Sequence, residues 1–152
     1  MSRRDRRSIV PSPPSALRRT PRRRSGDRAE GLVARQLTAL GWTVLGCGVA
    51  VGRDEIDLIA VEPGLPPTLV FVEVRSHRTG RFGTPEESVD DGKVRRVYRA
   101  AFALLRERRL PDGRPLPPLR WRLDLVAVDE HPFIGPEAGG TLVRHVRGIT
   151  PR

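Results

Sequence analysis

Two acidic residues lie within apolar segments that have the composition of β-strands. Asp57 lies in residues 54–62 and Glu73 in residues 68–76, where most neighbours are Ile, Leu, Val or Phe. The segment between them, residues 63–67, reads Pro-Gly-Leu-Pro-Pro, which is typical of a turn. The two segments therefore predict a β-hairpin that carries one carboxylate on each strand.

The register of this hairpin decides whether the two carboxylates meet. Folding the chain about the middle of the turn pairs Glu62 with Thr68 and brings Asp57 opposite Glu73. Like charges that face each other on a sheet destabilise it by up to about 1 kcal/mol, and burial also disfavours the ionised forms. A bound divalent cation removes both penalties, and carboxylate oxygens are the ligands that Mg²⁺ and Mn²⁺ prefer. The pair therefore predicts a Mg²⁺ or Mn²⁺ site.

Two further charged residues fall on the same strand faces. Arg75 follows Glu73 by two residues, where it could hold a phosphate or stabilise the charge that builds up on it during attack. The alternative is a plain hairpin salt bridge, in which Arg75 pairs diagonally with Asp57 and Glu73 reaches solvent. Glu55 shares the face of Asp57 and is either a further ligand or a solvated residue at the exposed start of its strand.

A helix is predicted at residues 26–40, capped by Ser25 and ended by Gly41. Glu30 lies at the edge of its apolar stripe, where a carboxylate needs a partner. The stripe consists of Ala29, Val33, Leu37 and Leu40.

The remaining apolar patterns complete an α/β protein. They predict a strand at 42–51, a helix at 90–108, a strand at 120–128 and a short final edge strand at 141–149. The element order is then α-β-β-β-α-β, which predicts a mixed β-sheet of four or five strands flanked by helices.

The positive charge of the chain is concentrated at its N-terminus. The net charge is +10, and residues 1–25 contain nine Arg against one Asp. Residues 1–24 therefore predict a disordered Arg/Pro-rich tail, either a nucleic-acid contact or a solvated extension, before a single domain at 25–152. Cys47 is the only cysteine, and no apolar run is long enough to span a membrane. These features predict a cytoplasmic protein that does not bind membranes.

The same segments resemble the UPF0102 (YraN-like) family, which is distantly similar to Holliday junction resolvases and to the PD-(D/E)xK nucleases. The resemblance rests on Glu-Ile-Asp-Leu-Ile at 55–59, Val-Phe-Val-Glu-Val-Arg at 70–75, Phe-Gly-Thr-Pro-Glu-Glu-Ser-Val at 82–89, and Lys93. The helix segment 29–35 and the strand 122–128 extend it. It implies a restriction-endonuclease-like fold.

The resemblance also implies a role for each matching residue. Asp57 and Glu73 would be metal ligands, and Glu30 would be the helix carboxylate that approaches the metal. Arg75 stands where the superfamily motif has its lysine. Because an arginine effectively cannot lose its proton, Arg75 would position and stabilise rather than act as a base. These four residues are the predicted catalytic set.

Three basic residues are predicted to contact nucleic acid. Lys93 matches a basic family position at a helix start, where phosphate binding or simple solvation are both typical. Arg78 and Arg81 flank a glycine turn beside the predicted site and could contact the DNA backbone. The function predicted is that of a metal-dependent endonuclease acting on DNA phosphodiester bonds, with branched DNA as one candidate substrate. The alternative is a non-catalytic nucleic-acid-binding protein with the same fold. The similarity to resolvases also suggests a homodimer.

Overall fold

A computed structural model describes residues 21–77, 90–130 and 141–152 of the chain. They form α1 (Pro21–Ala39), β1 (Thr43–Val51), β2 (Asp54–Glu62), β3 (Thr68–His77), α2 (Asp91–Glu107), β4 (Trp121–Glu130) and β5 (Thr141–Val146). The strands build one sheet in the order β1-β2-β3-β4-β5, so β3 is central. Strands β3 and β4 are parallel, and the other neighbours are antiparallel. The predicted α/β mixed sheet and its element order are confirmed.

Each face of the sheet is covered by one helix. Residues of α1 pack with one set of β2, β3 and β4 side chains, and residues of α2 pack with the alternate set. Strand β3 supplies both sets: Leu69 and Phe71 face α2, whereas Val70 and Val72 face α1, and all four are fully buried. A central strand buried on both faces is expected to be continuously apolar, as this one is up to Glu73.

The bounds of α1 differ from the sequence prediction at both ends. The described part of the helix extends to Pro21, four residues before the predicted cap Ser25. It ends at Ala39, and Leu40 is 70% exposed rather than part of the buried stripe. Among the described residues, no helix has both the length and the apolar character needed to cross a membrane.

Helix α2 begins with a regular cap that fixes the position of its first turn. The Asp90 side chain accepts a hydrogen bond from the backbone N–H of Gly92 at 2.9 Å. Val94 and Val97 then face the sheet and are buried. Lys93, immediately before Val94, is therefore held close to the sheet at the start of the helix.

Strand β2 does not alternate regularly between the two faces of the sheet. Ile56 and Ile59 both pack in the cluster on the α2 side, although they are three residues apart. Leu58 and Ala60 pack in the cluster on the α1 side. Since a regular strand would place Ile56 and Leu58 on the same face, the alternation breaks between them, at Asp57.

Candidate metal centre

Three carboxylates from two elements converge beside the break in β2. Glu30 comes from α1, and Glu55 and Asp57 come from β2. One oxygen of each side chain lies within 4.8 Å of an oxygen of the other two. We call these residues the acidic trio. Asp57 is buried, Glu30 is half-buried and Glu55 is exposed.

Strand β1 approaches the acidic trio through a glycine. Gly48 has a φ of +56°, in the left-handed region that favours glycine. It lies between Cys47 and Val49, which pair with Leu58 and Ile56, and so runs opposite Asp57. A Cβ atom at Gly48 would stand 3.9 Å from Oε2 of Glu30. This distance is an ordinary van der Waals contact, so the positive φ, and not the space beside Glu30, is what favours glycine here.

The predicted register of the β2–β3 hairpin is confirmed, because Glu62 pairs with Thr68. The backbone pairing extends to Leu58 and Val72. Beyond that pair, Oδ2 of Asp57 accepts a hydrogen bond from the backbone N–H of Val74 at 2.8 Å. The side chain of Asp57 thus satisfies an amide of the central strand and is fixed in position by it.

Glu73 is the most deeply buried carboxylate near the acidic trio, with 3% of its side chain exposed. Its Oε1 lies 2.7 Å from Nζ of Lys93 and 3.6 Å from Nε of Arg75. Among the described residues, neither oxygen of Glu73 has a hydrogen-bond partner in good alignment. Glu73 therefore relies on charge attraction, chiefly to Lys93, to offset its burial.

Two of these carboxyl groups have raised pKa values. Burial raises the pKa of Glu30 to about 7, and the charges of Asp57 and Glu55 add to the effect. Burial likewise raises the pKa of Glu73 to about 7, with a further contribution from Asp57, while Lys93 opposes both causes. Crowded carboxylates that resist ionisation are the situation a bound cation relieves, because its charge favours the ionised forms.

The acidic trio lines a cavity of about 550 Å³, which we call the acidic cavity. Lys93 and Cys47 also line it. Burial and the neighbouring Glu30 raise the pKa of the Cys47 thiol. Most of the potential ligand atoms of the cavity are carboxylate oxygens, which suit Mg²⁺ and Mn²⁺.

The structure brings together most of the predicted acidic residues, in a different grouping. Glu30 and Asp57 converge as expected, and their third neighbour is Glu55, for which the sequence left a ligand role and a solvated role open. Glu73 is close enough for its pKa to respond to Asp57, but its nearest charged atom belongs to Lys93. The assignment of metal ligands stays a prediction.

The predicted basic residues that the structure describes, Lys93 and Arg75, differ in whether they line the acidic cavity. Lys93 lines the acidic cavity, whereas Arg75 does not. Arg75 lies beside Glu73, and its Nε is buried without a hydrogen-bond partner among the described residues. Arg78 and Arg81 lie outside the described residues. Among the described residues, the cation that lines the acidic cavity therefore comes from α2 rather than from the motif position on β3.

A further buried carboxylate, Asp124 on β4, belongs to a separate network. Its oxygens accept hydrogen bonds from Arg122 at 2.8 and 3.0 Å and from the backbone N–H of Gly148 at 3.0 Å, and one lies 2.8 Å from Nε2 of His145. Burial opposes ionisation, but these hydrogen bonds hold the pKa of Asp124 below its usual value. Asp124 joins β4 to β5 and takes no part in the acidic cavity.

The fold and this site define a mixed-sheet α/β protein whose acidic cavity is lined by carboxylates and one lysine. The sequence model described as "Uncharacterised protein family UPF0102" matches residues 29–128, and the chain belongs to that family. This range includes the acidic trio, Glu73 and Lys93.

Curated relatives extend the similarity over most of the chain. The UPF0102 protein STH1475 of Symbiobacterium thermophilum is 42% identical over 110 residues, which is 72% of this chain and 86% of the relative. A UPF0102 protein of Roseiflexus castenholzii is 34% identical over 125 residues, covering 82% of this chain and 91% of the relative. UPF0102 protein SCO5602 of Streptomyces coelicolor is 36% identical over 125 residues, covering 82% and 86%.

Proposed function

We propose that this protein is a Mg²⁺- or Mn²⁺-dependent endonuclease that acts on DNA phosphodiester bonds, with branched DNA as one candidate substrate. The observation that carries the proposal is the convergence of Glu30, Glu55 and Asp57 within 4.8 Å. Such a cluster of like charges in a partly buried cavity is costly on its own, and a divalent cation offsets the cost.

The residues fit a hard divalent cation. Glu30 and Asp57 would hold it, with Glu55 as the third carboxylate, and oxygen ligands of this kind select Mg²⁺ or Mn²⁺ over softer metals. When bound, such a cation stabilises negative charge on a phosphoryl group and makes a water molecule more acidic. The anchoring of Asp57 by the amide of Val74 fixes one ligand before any metal binds.

Lys93 is the residue best placed to contact the substrate phosphate. Its Nζ has three donor hydrogens, and the ion pair with Glu73 uses one side of the ammonium group. The group also lines the acidic cavity, so its remaining donors are available to an anionic oxygen there. Glu73 holds the ammonium in position, and Arg75 adds a second positive charge beside Glu73. Glu73 thereby acts through Lys93 in addition to any contact with the metal.

Two features beyond the acidic cavity support DNA as the partner. The chain resembles the Holliday junction resolvases and the PD-(D/E)xK nucleases in the segments that contain Asp57 and Glu73. Its N-terminal segment also carries nine Arg in residues 1–25, a charge pattern that attracts polyanions.

Mn²⁺ binding measured by calorimetry on the full-length chain is the first test. Wild type should bind Mn²⁺ saturably, and Asp57→Asn and Glu30→Gln should bind at least tenfold more weakly because each loses one charged ligand. Glu107→Gln is the matched control, since Glu107 is an exposed carboxylate near the far end of α2. It should bind Mn²⁺ as wild type does.

Cleavage of branched and linear DNA by the same variants is the second test. Mn²⁺-dependent cleavage by wild type and Glu107→Gln, absent in Asp57→Asn, supports the proposed enzyme. Saturable Mn²⁺ binding without cleavage of either DNA favours the non-catalytic nucleic-acid-binding protein. If wild type does not bind Mn²⁺ in the presence or absence of DNA, the metal-dependent function is wrong.

A further inference from the structure

A second, smaller cavity adjoins the acidic cavity. Its volume is about 150 Å³, and it shares Glu55, Asp57 and Lys93 with the acidic cavity. Its other walls include Arg53, at the start of β2, and Arg96, one turn after Lys93 on α2. We call it the basic pocket, because these two arginines and Lys93 line it.

The arginines of the basic pocket, Arg53 and Arg96, are exposed, and neither forms a hydrogen bond or ion pair with the described residues. Together with the hydrogen bonds from Arg99, their charges lower the pKa of Asp54. The remaining acid of the pocket, Asp54, is already bound by two hydrogen bonds of 2.9 Å from the guanidinium of Arg99. The guanidinium groups of Arg53 and Arg96 are thus available to an external anion.

The chemistry of the pocket favours a phosphate. Guanidinium groups bind the tetrahedral oxygens of phosphate through paired hydrogen bonds. The pocket also has three carboxylates, but Asp54 is paired with Arg99, and Glu55 and Asp57 each have an oxygen in the cluster with Glu30. A cavity volume of about 150 Å³ accommodates one phosphate group.

We propose that the basic pocket binds a backbone phosphate of a nucleic-acid strand, next to the phosphate that lies in the acidic cavity. Lys93 stands in the wall that the two cavities share, so it contacts both positions. The first half of this proposal, phosphate binding by Arg53 and Arg96, stands on the pocket alone. The second half, the neighbouring reactive phosphate, rests on the proposed function.

Binding of a short oligothymidylate to the full-length chain, measured by fluorescence anisotropy in EDTA at several salt concentrations, tests the first half. Each phosphate contact on a single strand contributes about 0.7 to the slope of log affinity against log salt. Arg53→Ala and Arg96→Ala should therefore each reduce the slope by about 0.7, and the double variant by about twice that. Arg106→Ala is the matched control, because Arg106 is exposed on α2 but lines neither cavity. It should leave the slope unchanged.

Lys93 offers a local readout that the Arg-rich tail cannot produce. It is the only lysine in the chain, so biosynthetic labelling with ¹³C-lysine gives a single lysine side-chain signal. The signal should shift when the oligothymidylate is added to wild type or Arg106→Ala. It should stay in place in the Arg53→Ala/Arg96→Ala double variant, whose fold is checked by circular dichroism.

These outcomes distinguish a failure of the basic pocket from a failure of the proposed endonuclease function. Unchanged slopes for Arg53→Ala and Arg96→Ala, or an equal reduction in Arg106→Ala, overturn the basic pocket even if Mn²⁺ binds and DNA is cleaved. A wild type that does not bind the oligonucleotide overturns it as well. Conversely, the expected slopes and signal shift together with no Mn²⁺ binding support the basic pocket and contradict the proposed function.

Discussion

Replacing the buried Glu73 by glutamine should change how the stability of the protein depends on pH. The glutamine keeps the size of the side chain but removes its charge, and one-third of the Lys93 side chain is exposed, so its ammonium group can turn to solvent. In wild type, ionised Glu73 lies almost completely buried with imperfect hydrogen bonding. Glu73→Gln removes the penalty of ionising that group in the folded protein.

The sign and size of the effect follow from the raised pKa. The pKa of Glu73 is about 7 in the folded protein against 4.5 for an ordinary glutamate, so between these values the folded state binds more protons. Stability therefore falls as pH rises through this range. The full shift of the Glu73 pKa, from 4.5 to about 7, lowers the free energy of unfolding by about 3 kcal/mol at high pH. About 2 kcal/mol of this loss occurs between about pH 5.5 and about pH 8. Glu30, whose pKa is also raised, acts in the same direction.

Urea unfolding at a series of pH values measures the free energy directly. Wild type and the exposed-site control Glu107→Gln should lose stability from pH 5.5 to pH 8, and Glu73→Gln should lose about 2 kcal/mol less over the same interval. If Glu73→Gln and wild type lose the same stability over this interval, the burial of Glu73 does not raise its pKa and the reasoning is refuted.

Four other perturbations test separate parts of the structure. At pH 8, Mg²⁺ at a hundred times its dissociation constant should stabilise wild type by about 2.7 kcal/mol but not Asp57→Asn, as measured by thermal unfolding. Asp124→Ala should cost about 1–3 kcal/mol in urea unfolding, because it removes the acceptor of the Gly148 amide and of the half-buried Arg122, which keeps only its ion pair with Glu62. Phe71→Ala should cost about 3–5 kcal/mol, while Phe102→Ala, at a side chain that is 57% exposed, should cost less than about 1 kcal/mol. Gly48→Ala should cost about 1–2 kcal/mol in urea unfolding, because alanine is strained at the positive φ of this position.

The sequence was sufficient for the hairpin because several local signals agree there. The apolar runs on either side of residues 63–67 and the Pro/Gly turn between them set the register that pairs Glu62 with Thr68. The buried face of α2 was also predictable from the sequence, since Val94 and Val97 recur at helical spacing and are buried. Where the spacing of apolar residues stays regular along a strand or helix, that spacing determines which side chains reach the core.

The grouping of charges at the site was harder to predict, because it depends on how separate elements meet. The regular alternation of strand residues between the two faces does not predict the break at Asp57. Because of this break, Ile56 packs in the core on the α2 side and Leu58 in the core on the α1 side. The docking of α2 brings Lys93 to Glu73, and no local pattern in the sequence encodes that distance. The sequence singled out Lys93 only through its match to a basic family position and as the one lysine among 28 basic residues. The extent of the N-terminal tail and the homodimer stay predictions.

The break in β2 also restricts how the length of this chain can change during evolution. On one side of Asp57, Ile56 faces α2, and on the other side Leu58 faces α1. Inserting or deleting one residue within 55–57 shifts the part of β2 before Asp57 by one position relative to the part after it. Apolar core residues and carboxylates then exchange faces of the sheet. In-frame insertions and deletions should therefore be eliminated in this segment. Family members should therefore keep the spacing between the carboxylate of Asp57 and the apolar run that follows it.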